Sequence, residues 1–203
     1  MNGETENKPA LPKDAAGSGG SYARYLRKRK KIRVLVYRFF IYPRLNRYLR
    51  GRVLDVGCGI GDFLAFRKNT VGIDVEPENV QWCRQRGLDA HLIQGGKYPF
   101  DDAVFDGGIM DNVLEHIFDP RSSLMELHRV LKNGAPVIVG VPGERGYAYD
   151  PDHKRYYDAQ SLVHLLSSHG FALTNLLVTP FFRSAWLSRH LRQYCIYGVF
   201  RKE

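Results

Sequence analysis

The stretch Val53-Leu54-Asp55-Val56-Gly57-Cys58-Gly59-Ile60-Gly61-Asp62-Phe63 decides how this chain is read. An apolar run enters three glycines spaced two apart and leaves as an amphipathic segment: strand, tight turn, helix. Glycine lets a ligand approach the backbone closely where strand gives way to helix. Asp74 ends the next apolar run, where a carboxylate can accept from both ribose hydroxyls of an adenosine. Two other readings of the loop remain open. A tight turn that binds nothing also uses glycines, and a dinucleotide loop needs glycine at its first, third and sixth positions. Here Asp62 holds the sixth position and glycine falls at the fifth, Gly61.

Outward from this loop, short apolar runs alternate with helix-like stretches. The pattern predicts strands at Arg52–Val56, Thr70–Asp74, Ala90–Ile93, Phe105–Met110 and Pro136–Val141. Helices are predicted at Phe63–Lys68, Pro77–Arg86, Pro120–Leu131 and Ala159–His169, and Ala172–Val178 with Tyr194–Phe200 reads as a closing hairpin. Such alternation indicates an α/β protein with a mainly parallel sheet covered on both faces.

Several motifs in order resemble those of the class I S-adenosylmethionine-dependent methyltransferases, in particular the type 11, small-molecule branch. Asp55 to Gly61 looks like the family's first motif and Val71-Gly72-Ile73-Asp74-Val75 its second. Tyr98 to Asp106, Asn112-Val113-Leu114-Glu115-His116-Ile117 and Leu127 to Gly134 are similar to later ones. The resemblance covers about residues 50 to 175. It implies a Rossmann-like fold with a seven-stranded sheet, an antiparallel C-terminal strand, and S-adenosyl-L-methionine as cofactor, leaving as S-adenosyl-L-homocysteine. Carried over by position, Gly57, Cys58, Gly59 and Gly61 would lie along the methionine part and Asp55 would orient that loop or meet the amino group. Asp74 would hold the ribose, Val75 would lie on the adenine, and Asp111 and Asn112 would border the methionine end. Where the family often has an Asp near the adenine amino group, this chain has Gln94, whose amide oxygen can accept the same hydrogen bond.

Methyl transfer from a sulfonium is an in-line displacement helped by positioning and water exclusion. A base is needed only for a hydroxyl or a protonated amine. The candidates are Asp111 and His116 after the fourth strand and His153 in the long polar loop after the fifth. Each has a structural alternative: helix capping for Asp111 and Glu115, a cofactor or packing contact for His116, and a loop-holding hydrogen bond for His153. Tyr147, Tyr149 and Tyr156 are candidates for an acceptor pocket. No carboxylate cluster has convincing metal spacing, so no metal is expected. The site after the fourth strand, Asp111-Asn112-Val113-Leu114, lacks the Pro-Pro-aromatic clamp used on nucleobase amines, and a Pro-Cys pair for attack on cytosine carbon is absent.

The chain has 203 residues and a net charge of +9, which points towards nucleic acid or an anionic surface. The excess is local. Residues 22 to 52 hold twelve Lys and Arg and no acid, whereas residues 53 to 203 hold sixteen bases and eighteen acids. The expected organisation is a disordered tail (1–21), a basic amphipathic helical arm (22–50) broken near Pro43, and a cofactor domain (51–203). Three scattered cysteines make no disulfide framework, which suits a cytoplasmic protein. The expected acceptor is a small molecule, lipid or glycan, with nucleic acid less favoured. The arm can hold residues 22–52 at the inner face of an anionic membrane or close over the site as a lid. An RNA methyltransferase and a non-catalytic cofactor-binding adaptor are the competing functions; the oligomeric state is not legible.

Overall fold

A computed structural model describes residues 31–180 and 182–203. The expected tail, and the arm up to residue 30, lie outside the described residues. The body is one sheet of seven strands: β1 (Val53–Val56), β2 (Thr70–Asp74), β3 (Ala90–Leu92), β4 (Gly107–Asp111), β5 (Pro136–Pro142), β6 (Phe171–Thr179) and β7 (Cys195–Lys202). Their order is β3-β2-β1-β4-β5-β7-β6. Strands β1 to β5 are parallel, and β7 runs antiparallel between β5 and β6. The expected fold is therefore the observed one, with strand ends within two residues of the pattern-based bounds.

Strands β1 and β2 are buried along their whole length. This is why they read as continuous apolar runs rather than alternating ones. The chain leaves β1 towards β2 on one side and returns to β4 on the other. The reversal opens a crevice at the carboxyl ends of β1 and β4, where ligands bind in open α/β sheets.

The arm differs from expectation. Helix α1 (Lys31–Val36) continues through a π turn (Tyr37–Ile41) into α2 (Tyr42–Asn46), with Pro43 in the first turn of α2. The Tyr42 N–H donates to the Tyr37 carbonyl five residues back. That shifted bonding lets a residue without an N–H sit in the helix, so Pro43 does not break it. Ile41, Tyr42, Leu45 and Leu49 are buried against Val53, Phe63, Ile109, Ile138 and Tyr197, so this part of the arm belongs to the core. Leu35, Val36, Phe39 and Phe40 remain exposed.

The helices over the sheet are α3 (Asp62–Phe66), α4 (Pro77–Gln85), α5 (Arg121–Val130), α6 (Glu144–Tyr149), α7 (Ala159–Ser167) and α8 (Ala185–His190). Helix α6 falls in the stretch read as a long polar loop, and α8 in one that the pattern left unassigned. The helix expected from Asp111 is a single 3-10 turn, Leu114–His116. Val113 is its N-cap and no side chain caps it, so neither Asp111 nor Glu115 serves that purpose.

Candidate active site

A cavity of about 780 Å³ opens at the carboxyl ends of the central strands, walled by the loops after β1, β2, β4 and β5. The glycine loop forms one side. Gly57, Gly59 and Gly61 all have positive φ (69°, 54° and 79°), a region that disfavours other residues. The N–H groups of Gly57 and Cys58 both donate to the Ile73 carbonyl, tying the loop to the end of β2. A Cβ on Gly57 would lie 2.6 Å from Val113 Cγ2. At Gly61 it would lie 2.7 Å from Leu88 Cδ1 and 2.8 Å from Cys83 Sγ. Gly61 is absent from the cavity wall. Its lack of a Cβ is required for packing of the turn on α4.

Asp74 organises the other rim. Its Oδ2 accepts from the Gly59 N–H at 2.8 Å, and its Oδ1 from the Glu76 N–H at 2.9 Å and Asn79 Nδ2 at 3.3 Å. A carboxylate offers about four lone-pair sites, so capacity remains for a ligand. Val75 beside it is 64% exposed, an apolar surface open to a flat ring. Burial raises the pKa of Asp55, and the charges of Asp111 and Asp74 raise it further. Asp74 is also raised by burial, against the pull of the N–H groups it accepts from. Three carboxylates around one cavity make an electrostatic demand for a cation.

Gln94 is exposed in the turn after β3, where its carbonyl accepts from the Lys97 N–H, and it does not reach the cavity. Gln94 thus stands outside the cavity wall, ahead of a turn in which Gly95 and Gly96 both have positive φ.

After β4, Asp111 and Asn112 line the cavity as expected. Asp111 Oδ1 accepts from Asn112 Nδ2 at 2.7 Å and from Tyr197 Oη at 3.1 Å, so it is held by the protein. His116 and His153, distant in sequence, meet edge to face with ring centroids 4.7 Å apart. The His153 side chain is buried, and its Nδ1 lies 2.8 Å from the Tyr147 carbonyl oxygen, the loop-holding bond foreseen as its structural role. Its Nε2 is 3.9 Å from Glu115 Oε1. Burial pushes Glu115 up to about 8 and, with the neighbouring His153, lowers His116. The Lys154 and Arg155 N–H groups donate to the Glu115 carbonyl, closing the loop over this group.

Of the three tyrosines, Tyr149 lines the cavity, with the Arg192 guanidinium stacked 3.2 Å from its ring centroid. Tyr147 stacks instead on His153, and Tyr156 packs on Tyr147. Sequence reasoning missed Asn79, Tyr37, Tyr42 and Arg192 in the wall. None of the four left a signal in the sequence: Asn79 is recognised only because the structure buries it beside Asp74.

Residues 54–139 match the family described as "Methyltransferase domain". A probable S-adenosylmethionine-dependent methyltransferase of Mycolicibacterium smegmatis is 30% identical over 150 residues, covering 68% of this chain and 58% of that one. A ubiquinone/menaquinone biosynthesis C-methyltransferase of a Geobacter species is 30% identical over 118 residues, covering 51% and 50%. The chain spans about half the length of the curated relatives it matches. Among solved structures, an S-adenosylmethionine-dependent methyltransferase of Thermotoga maritima has TM-score 0.67 at 19% identity, covering 90% of this chain and 98% of that one. Fold and cavity thus define a Rossmann-like ligand-binding protein with the crevice at its topological switch point. With the sequence matches, the chain belongs to the class I S-adenosylmethionine-dependent methyltransferases. Its cofactor is S-adenosylmethionine. The cavity fits that group: carboxylates suit the sulfonium and ammonium charges, Asp74 retains acceptor capacity for ribose hydroxyls, and Val75 offers an apolar face to adenine.

Proposed function

We propose that this protein moves a methyl group from S-adenosylmethionine to an oxygen or nitrogen of a small-molecule, lipid or surface-glycan acceptor. The observation that carries this reading is the single cavity wall in which Asp55, Asp74 and Asp111 gather beside the glycine loop while Tyr149, His153 and Arg192 border the same space. A cation site and an aromatic, polar site sharing one volume suit a two-substrate transfer. When bound, the cofactor supplies a methyl group on a sulfonium, a good leaving group. The chain's own residues bind and orient: Asp74 takes the ribose, Asp55 and Asp111 hold the positively charged end, and the loop over Glu115 and His153 narrows the cavity against water.

The arm supports an acceptor at an anionic bilayer, with the protein at the inner face of the membrane from the cytoplasm. Leu35, Val36, Phe39 and Phe40 are exposed on a segment dense in Arg and Lys. No helix among the described residues is long and apolar enough to cross a membrane, so the contact proposed is peripheral.

The test is calorimetric titration with S-adenosylmethionine, followed by transfer of labelled methyl groups into metabolite, lipid, glycan and RNA fractions. Label in the lipid or small-molecule fraction supports the reading. Label confined to RNA moves it to the RNA-directed alternative, and cofactor binding with no transfer moves it to an adaptor.

A further inference from the structure

Both carboxylate oxygens of Glu115 are fully buried without a hydrogen-bond partner. The residue is 1% exposed in the cavity wall. Burying such a group is unfavourable unless something pairs with it. His116 and His153 stand beside it, and one ligating atom from each of the three lies within 4.8 Å of the others.

The distances discriminate among ways of satisfying the carboxylate. At 3.9 Å, His153 Nε2 and Glu115 Oε1 are too far apart for a direct hydrogen bond. Two atoms that ligate one ion at about 2.1 Å can be up to about 4.2 Å apart, which covers the observed separation. A small side-chain rotation brings in the widest pair. The tautomer agrees as well. With Nδ1 of His153 directed at the Tyr147 carbonyl, that nitrogen carries the proton and Nε2 turns its lone pair towards Glu115. An outer N–H given to a backbone carbonyl is the arrangement that orients metal-ligating histidines. His116 also bonds the backbone, at Asp152.

We propose that Glu115, His116 and His153 bind one divalent first-row transition-metal ion at the acceptor end of the cavity. One carboxylate with two imidazoles suits Zn²⁺, Fe²⁺, Mn²⁺ or Co²⁺, whereas Mg²⁺ and Ca²⁺ favour all-oxygen shells. Three protein ligands leave coordination positions open to the cavity. The substrate class that would use them is an acceptor bearing a hydroxyl or enol. Its proton goes to solvent more readily near the ion; the freed oxygen electron pair forms the new bond to the methyl carbon as the carbon–sulfur bond breaks, releasing the neutral thioether. This last step rests on the methyl-transfer reading, whereas the metal site does not.

The sequence spacing concealed this group, because Glu115 and His116 are adjacent and His153 lies in the loop after β5. The sequence reading expected no metal; the proposal departs from that expectation, because the donor set comes together only in the fold.

The experiment uses the untagged full chain stripped with a chelator and titrated with Co²⁺ and Zn²⁺, followed by calorimetry and by visible Co²⁺ absorption. The expected result is one equivalent of Co²⁺ with ligand-field bands, displaced by Zn²⁺, and affinity lowered tenfold or more in Glu115→Gln and in His153→Ala. Should Glu115→Gln fail to fold, His116→Ala and His153→Ala carry the comparison, with circular dichroism as the check. No stoichiometric uptake of either ion, or uptake unchanged in the folded variants, overturns the proposal. Parallel titration with S-adenosylmethionine keeps the two readings apart: cofactor binding without metal uptake sinks only the metal site, and metal uptake without cofactor binding sinks only the methyltransferase reading.

Discussion

Asp74 illustrates how one side chain serves two purposes. It fastens the glycine loop through Gly59 and the start of α4 through Glu76 and Asn79, and it still faces the cavity. Asp74→Asn keeps the shape but loses charge and an acceptor. A hydrogen bond to a charged group contributes about 1.5–3 kcal/mol, so S-adenosylmethionine affinity should fall about 10- to 100-fold by calorimetry; unchanged affinity would sink its assigned role. Gly57 allows a sharper comparison. Both Gly57 and Gly87 have φ near +70°, but a Cβ meets Val113 at Gly57 and nothing within 4 Å at Gly87. Gly87→Ala should therefore cost only about 1–2 kcal/mol of backbone strain, and Gly57→Ala clearly more, as read from the two melting temperatures. Asp55 supplies a pH dependence. Its folded pKa is raised, so the native state holds a proton that the unfolded chain releases near pH 4. Stability is then greatest below that pH and declines as pH rises through the folded pKa. A bound cation relieves the burden, so the stabilisation given by S-adenosylmethionine in thermal shift should grow from acid towards neutral pH. A flat profile would remove Asp55 from the cation site.

At the scale of elements, the legible parts were those with long, uniform burial. Strand β2 was read to the residue because Thr70–Asp74 is buried throughout and bounded by turn residues. Helices α6 and α8 escaped because each is six residues long and largely exposed, leaving no apolar period to find. The candidate site divided the same way. Asp55 and Asp74 follow from strand ends, whereas the meeting of Glu115 and His116 with His153 depends on how the loop after β5 folds back onto the 3-10 turn. Helix α7 shows a local signal that does transfer: Asp158 and Ser161 form a reciprocal capping box. Asp158→Ala should destabilise the fold by about 1 kcal/mol in denaturant titration, while Asp119→Ala, an exposed ion-pair residue, should change it little.

For the whole molecule, the arm is divided between core and surface. Removing residues 1–30 leaves every buried arm residue among the described ones in place while taking away seven Lys and Arg. That variant should melt like the full chain yet float less with anionic vesicles. Removing residues 1–50 also takes Ile41, Tyr42, Leu45 and Leu49 from the core. At about 1.5–3 kcal/mol for each fully buried apolar side chain, the loss rivals the total stability of an ordinary domain, and that variant should not fold. A folded 51–203 fragment would show that the arm is not part of the core.

The position of β7 between β5 and β6 bears on how the protein is made. During synthesis, β5 emerges from the ribosome well before the strand that covers its free edge, and β6 has no neighbour in the sheet until that same strand arrives. The nascent chain therefore exposes an unpaired apolar edge, Val137 to Val141, for the time needed to add some sixty further residues. At roughly 5–20 residues per second that exposure lasts several seconds. It makes this edge the place where a holding chaperone would engage the newborn chain, and where overexpression would first produce inclusion bodies.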